Sequence, residues 1–456
     1  MRRVVKVSRI RIIITIIVVV LTTLLTGCTG KEPNEIAYVV ALGIDSTDDG
    51  NYKITIQYAN TTQISGGASE SGGKAGSEIV DNVTIEAPNI YAGVGLANNI
   101  VSKSFSMSHA KLIVFSKEIA EKGVKDMIET LVRSEEIRPD VFIAVANTTA
   151  NDYLTSVNPE MEVNPAQYYQ LIYQKNQLVG IPDGQLREFF TGLYTDNYDS
   201  ILPVAGVIEG AGGNSQNDDK GQSKDGQNEG SEGSSESLDS FESKSSDDKD
   251  ENEKEKDAEK NTSKYEYDIK NYVGGETAIE KKNKAEAIGA AVFEKDKMVG
   301  ELGEVETEIC KILKGDYTYS YLTYYNNDTP DIPITVKTTQ QKKPKYKIDT
   351  DKKTVDIELY IESDLYSLPA DYNVENKIED FERDVANYTS STCTEFINNF
   401  TKKYNSDILK LNEKVKYKFL TNNQYNWFKK NVGWSEYKFS VCTNFKVRRT
   451  GLIVRE

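Results

Sequence analysis

The chain opens on five basic residues, Arg2, Arg3, Lys6, Arg9 and Arg11, which run into 14 residues from Ile12 to Leu25 that are apolar except for three threonines. A membrane-spanning helix needs about 20 apolar residues, so a run of this length behind a positive start predicts a secretory signal. Beyond it the pattern changes. Ile36 to Leu42 is largely apolar, Gly43-Ile44-Asp45 follows, and a polar turn reaches Gly50. Tyr52, Ile54, Ile56 and Tyr58 then alternate with polar residues, the period of a half-buried strand, and the two segments predict a hairpin. Lys111 to Phe115 reads as a short strand and Ser116 as an N-cap, with Ile119, Val124, Met127, Ile128 and Leu131 at helical spacing behind it. Val141 to Ala146, after the breaker Pro139, is a further strand.

In the second half, Ile288 to Phe293 is a buried-strand run with a charged turn after it, and Val355, Ile357, Leu359 and Ile361 alternate cleanly. Ile378, Phe381, Val385, Tyr388, Cys393, Phe396, Phe400 and Tyr404 recur at spacings of three to five, which predicts one long amphipathic helix. Tyr437, Phe439, Val441, Thr443, Phe445 and Val447 return to strand alternation. The reading is an α+β, multi-domain chain with mixed or antiparallel sheets and packed helices, and a long C-terminal helix lying across a largely antiparallel sheet.

Two stretches carry no such pattern. Ser65 to Ser77 is mostly Gly, Ser and Ala. Gly210 to Thr262 holds 16 acidic and 7 basic residues, with Leu238 and Phe241 as its bulky apolar side chains. A segment of that composition cannot bury enough surface to offset its chain entropy. It predicts a disordered acidic linker over residues 210–264 between folded portions at 28–209 and 265–456, each of ordinary domain size. The linker reads as a tolerated loop insertion before it reads as a spacer or an interaction tail. Over all 456 residues, 71 Asp and Glu against 55 Lys and Arg give a net charge of −16, which argues against a nucleic-acid partner.

Candidate chemistry is sparse. The single histidine, His109, rules out His-rich zinc sites, and at the entry to a strand it reads as structural. Gly93-Val94-Gly95 lacks the strand and third glycine of a dinucleotide loop and reads as a turn or helix start. No catalytic residue, cofactor-binding residue or metal ligand is nominated. Cys310, Cys393 and Cys442 read as buried small apolar residues, with at most one disulfide among them. The runs Lys342-Lys343-Pro344-Lys345 and Lys402-Lys403 read as solvated faces, able to lie near anionic headgroups.

Leu25-Thr26-Gly27-Cys28, directly after the apolar run, resembles the bacterial lipobox. It implies cleavage after residue 27 and a diacylglyceryl anchor on Cys28, the lipidation site. Cleavage would take the net charge from −16 to −21, because five basic and no acidic residues leave. Two acyl chains anchor stably where one binds reversibly.

Further segments stand in a set order: Glu35 to Asp45 with its Gly-x-Asp, Ser108 to Gly123, Arg133 and Arg138, and Gly289 to Leu302 followed by Glu304-Val-Glu306-Thr307. After them come the long helix, Ser406-Asp407-Ile408-Leu409, Trp427, Trp434 and Arg449-Thr450-Gly451. Together these resemble the Ger(x)C family, the C-subunit lipoproteins of spore germinant receptors. The resemblance implies a non-enzymatic, multi-domain α+β protein without cofactor, tethered to the outer face of the spore inner membrane. It implies integral-membrane A and B subunits as partners in sensing nutrients such as amino acids, sugars or nucleosides, and leaves open whether this subunit touches the germinant. The alternative reading is a lipid-anchored extracytoplasmic substrate-binding protein, which would need two similar lobes about a cleft.

Overall fold

The computed structural model describes residues 13–17, 35–59, 80–158, 162, 164–174, 180–208, 271–277, 283–326, 329–367 and 377–450. Cys28, Ser65–Ser77 and the 210–264 segment lie outside them. Met1–Ala211 and Asn271–Glu456 belong to one compact unit.

Its larger sheet has a parallel centre with antiparallel flanks. β1 (Ile36–Ser46) and β2 (Tyr52–Ala59) form the expected hairpin, with Ile44 opposite Ile54, and β3 (Val80–Ala87) extends it. On the other side β1 runs parallel to β4 (Ser104–Ser106) and to β5 (Leu112–Ser116), and β6 (Phe142–Ala146) and β7 (Ile201–Val207) continue parallel. β8 (Ala285–Glu294) and β9 (Lys297–Leu302) close the row antiparallel. Strands from both sides of the acidic segment therefore share one sheet.

Helices cover both faces of this centre, which is why β5 and β6 read as continuous apolar runs rather than alternating ones. Ile113, Phe115, Ile143 and Val145 face α1 (Ile90–Ala97), α2 (Lys117–Lys122), α3 (Lys125–Val132) and α6 (Leu186–Thr195). Leu112, Val114, Phe142 and Ala144 face α4 (Ala150–Ser156) and α5 (Pro165–Tyr173). The spacing from Ile119 to Leu131 is split between α2 and α3. Ser116 caps α2 as expected, but Gly123, at φ +122°, ends it in a conformation that L side chains rarely adopt. Gly93 and Gly95 lie inside α1, whose N-cap is Asn89.

A second sheet joins β10 (Tyr319–Asn326), β11 (Thr329–Gln340), β13 (Thr354–Ser367) and β12 (Lys345–Asp349) antiparallel. β14 (Lys438–Arg449) adds parallel to β13, the one parallel pair among the described strands of this largely antiparallel sheet. The long helix α8 (Ile378–Lys403) crosses this sheet and buries Phe381, Val385, Thr389, Cys393, Ile397 and Phe400. α7 (Glu304–Lys314) adds Cys310, Ile312 and Leu313 to the same core. Burying each such large side chain contributes roughly 1.5–3 kcal/mol.

α8 also carries a polar row. Asn398, Thr394, Ser390 and Glu382 accept the backbone N–H groups of Phe439 (3.1 Å), Val441 (3.0 Å), Thr443 (2.9 Å) and Val447 (2.8 Å). Four residues of helix rise about 6 Å and two residues of strand about 6.7 Å, so the helix turns keep pace with alternate strand positions. Side chains thus take four N–H groups along the outer edge of β14, where another strand would otherwise pair.

Candidate functional site

Where β7 begins, the first sheet meets the segment between α8 and α9 (Leu411–Val415), and charged groups gather there. Asp199 precedes β7. Its carboxylate accepts the N–H of Lys295 in the β8–β9 turn (2.9 Å) and that of Asp407 (2.8 Å), while the Asp199 N–H donates to the Asp407 carbonyl (3.1 Å). The buried Asp407 carboxylate in turn accepts the N–H groups of Leu411 and Asn412, each at 2.8 Å, and closes its own loop. Burial pushes the Asp407 carboxyl up to about 7, and burial raises Asp199 as well, against the N–H groups that favour its charged form.

A second link lies beside the first. Lys410, in the left-handed backbone region at φ +57°, reaches the Glu188 carboxylate at 3.0 Å and lies 4.2 Å from the centre of the Tyr198 ring. The Tyr198 hydroxyl donates to the Glu188 carbonyl at 2.9 Å. Burial works to raise the Glu188 carboxyl, but Lys410 outweighs it and the net shift is downward. On the far side, Lys429 donates to the Thr195 carbonyl (2.8 Å), and Lys429 and Tyr425 both donate to Asn197 (3.0 Å each).

This seam borders a cleft of about 520 Å³ that also takes in Asp183, Lys311, Lys314 and Asp316, so charges of both signs face it. The size falls in the range of small-ligand sites. Lys311 donates to the Ile181 carbonyl at 2.9 Å, and burial lowers its ammonium to about 8. Asp199, Asp407 and Glu188 are held by backbone N–H groups or a lysine. The arrangement braces the two sheets together. Among the described residues no group of three or more His, Cys, Asp or Glu could hold a metal ion, and no helix is long and apolar enough to cross a membrane.

The residues singled out in the sequence lie apart from this seam. His109 is exposed and sits edge-on to Tyr38, ring centres 4.9 Å apart. Cys310 and Cys393 are buried as expected, but Cys442 is exposed, because every second residue of β14 faces outward. Lys342 and Lys345 lie over the Tyr360 ring, at 3.5 and 5.3 Å from its centre. Trp434 is buried against Tyr437, while Trp427 is exposed. Sequence reasoning passed over Asp199, Glu188 and Lys410. The one local signal was Ser406-Asp407-Ile408-Leu409, a polar pair ahead of two apolar residues that anchor in the core.

Residues 30–207 match the family described as "Spore germination protein N-terminal domain", and residues 288–451 match "Spore germination B3/ GerAC like, C-terminal". The chain belongs to the Ger(x)C family of spore germination proteins. Among curated members, spore germination protein KC of Bacillus subtilis (strain 168) is 26% identical over 174 residues, which are 35% of this chain and 42% of that protein. Spore germination protein GerQC of Bacillus cereus is 24% identical over 196 residues, 41% of this chain and 50% of that protein. The matches thus span half or less of those relatives' length. The crystal structure of the GerBC protein aligns over 89% of this chain and 96% of that one, at a TM-score of 0.47 and 15% identity. In this Ger(x)C chain the seam joins Asp199 of the first matched region to Asp407 of the second.

Proposed function

We propose that the chain is the lipid-anchored, non-catalytic C subunit of a nutrient germinant receptor, held by a diacylglyceryl group on Cys28 at the outer face of the spore inner membrane, where it supports integral-membrane A and B subunits. The observation that carries this reading is the ordered match of both folded regions to spore germination families, over residues 30–207 and 288–451. The braced seam supports a scaffolding role, since its carboxylates are spent on structure. Anchoring would act by confinement, raising the effective concentration of the folded body at its partners. A substrate-binding protein would present two similar lobes, whereas here a helix-covered parallel centre adjoins an antiparallel sheet with one long helix.

The test is nutrient-triggered germination of spores lacking the gene, scored beside a trigger that bypasses nutrient receptors. Loss of the first with retention of the second is expected. Normal response to both would refute the receptor role. Cys28→Ala should release the protein from the membrane fraction and weaken nutrient germination, and unchanged retention would refute the anchor.

A further inference from the structure

The segment that closes the seam continues into a basic surface on an acidic protein. From residue 416 to 430 there are four lysines and no acid, in a chain of net charge −16, with Lys418 donating to the Ile348 carbonyl and Lys429 to that of Thr195. Three large apolar side chains there face outward: Tyr417 is 78% exposed, Leu420 95% and Trp427 68%. The local structure explains how they come to point out. α10 (Asn422–Asn431) starts on a capping box made by Thr421 and Gln424, and turns Tyr425 and Phe428 onto Phe419, with ring centres 5.9 and 4.9 Å apart. Trp427 is left on the outer side. The residue before an N-cap often packs on the fourth helical residue, which here would be Tyr425, yet Leu420 stands in solvent. Lys416 and Lys429 flank Tyr425 at 5.7 and 4.9 Å from its ring centre. Asp196 offsets Lys429 and Asp349 offsets Lys418 in part, while Lys416 and Lys430 are exposed.

We propose that residues 416–430 form a lipid-docking surface: Tyr417, Leu420 and Trp427 enter the headgroup layer of an anionic bilayer, and Lys416 and Lys430 pair with its phosphates. Tryptophan and tyrosine partition to that layer because one end of each ring is apolar and the other polar, and lysine stems can lie along it with their charges in water. Acidic surface elsewhere is repelled by the same lipid, so docking also fixes which side of the body faces the membrane. This deepens the anchored-subunit reading and rests on it for bringing the surface to a bilayer.

The chain has two tryptophans, and Trp434 is buried, so Trp427 reports on the contact. Full-length protein is mixed with vesicles of phosphatidylcholine containing about a third phosphatidylglycerol, with bromine on the acyl chains as quencher. Trp427 emission should shift to the blue and be quenched, and Trp427→Phe should remove the quenched component. Each lysine near an anionic surface is worth about fivefold in binding, so Lys416→Gln with Lys430→Gln should weaken docking about 25-fold. Pelleting with the vesicles, compared with Cys28→Ala, reads attachment separately. Protein that pellets while Trp427 stays exposed and unquenched overturns the docking surface and leaves the anchor standing. Quenching that is unchanged by Cys28→Ala, with pelleting unchanged, upholds the surface and overturns the anchor. Equal quenching in pure phosphatidylcholine, or after the double lysine change, overturns the electrostatic pairing. A Trp427 that is exposed on lipid but buried in native spore membranes marks a protein partner, and overturns lipid as the occupant.

Discussion

Asp45 joins the end of β1 to the start of α4, more than a hundred residues later. Its carboxylate, 5% exposed, accepts the N–H of Ala150 at 2.7 Å and that of Asn151 at 3.0 Å, the first two residues of the helix. Thr149 takes the third N–H, that of Asp152, at 2.9 Å. All three first-turn donors are thus satisfied, two of them by one remote side chain. Asp45→Ala orphans both. A buried unsatisfied donor costs about 1–3 kcal/mol; Ala150 is buried and Asn151 half-buried, so water recovers part of the second loss. Burial also raises the Asp45 carboxyl despite its two N–H partners and Lys53, so removing the charge returns some desolvation energy. The net expectation is about 2–3 kcal/mol for alanine and about 1 kcal/mol for Asp45→Asn, which keeps one acceptor for Ala150. Guanidinium unfolding of the full chain reads the sum, and hydrogen exchange at Ala150 and Asn151 reads the site. An alanine variant within about 0.5 kcal/mol of the parent, or unchanged exchange there, would refute the reasoning.

Gly289 sits in β8 at φ +82°, where β7 and β8 lose register, and a β-carbon built there would lie 2.6 Å from the Leu302 carbonyl oxygen. Gly289→Ala should therefore cost about 2–3 kcal/mol, read as a lowered thermal midpoint; a midpoint equal to the parent's would count against the strained bulge. Asp407 holds its proton to about pH 7 when folded against 3.8 for the ordinary side chain. Its contribution is therefore full below about pH 4 and lost as pH rises through 7, a swing of up to about 4 kcal/mol. Urea midpoints between pH 5 and 8 should fall with pH, and Asp407→Asn should flatten that slope. Burial raises the thiols of Cys310 and Cys393, and Cys442 is exposed. Brief alkylation of the folded chain, read by mass spectrometry, should label Cys442 ahead of the other two by a wide margin; equal labelling would contradict the burial.

Local signals carried much of the architecture. The β1–β2 hairpin, the alternation of β13 and β14, and the stripe of α8 were legible because each needs only the pattern within its own segment. Pairing over distance was not. Nothing in the alternation of residues 437–447 distinguishes a parallel neighbour from an antiparallel one, and nothing beside Val207 announces that Ala285 will pair with it. That second pairing bears on the acidic segment. The chain on either side of it is held together, with Ile208 donating to the Lys284 carbonyl. The seam was hidden for the same reason. Asp199 and Asp407 are 208 positions apart, and each alone is one carboxylate among many. The break at Gly123 was readable from the glycine itself, but the apolar spacing through it pointed to continuity.

The polar row on α8 has a consequence for how other chains can approach this protein. An open strand edge is a template: it accepts a strand from a neighbour as readily as from its own sheet, which is how swapped dimers and fibrils begin. Along β14 that template is already occupied, by Asn398, Thr394, Ser390 and Glu382. A visiting strand would have to displace four hydrogen bonds and lift a 26-residue helix off its core before gaining any of its own. This flank therefore resists strand exchange, and a partner that leaves the helix in place must recognise it through side chains and shape.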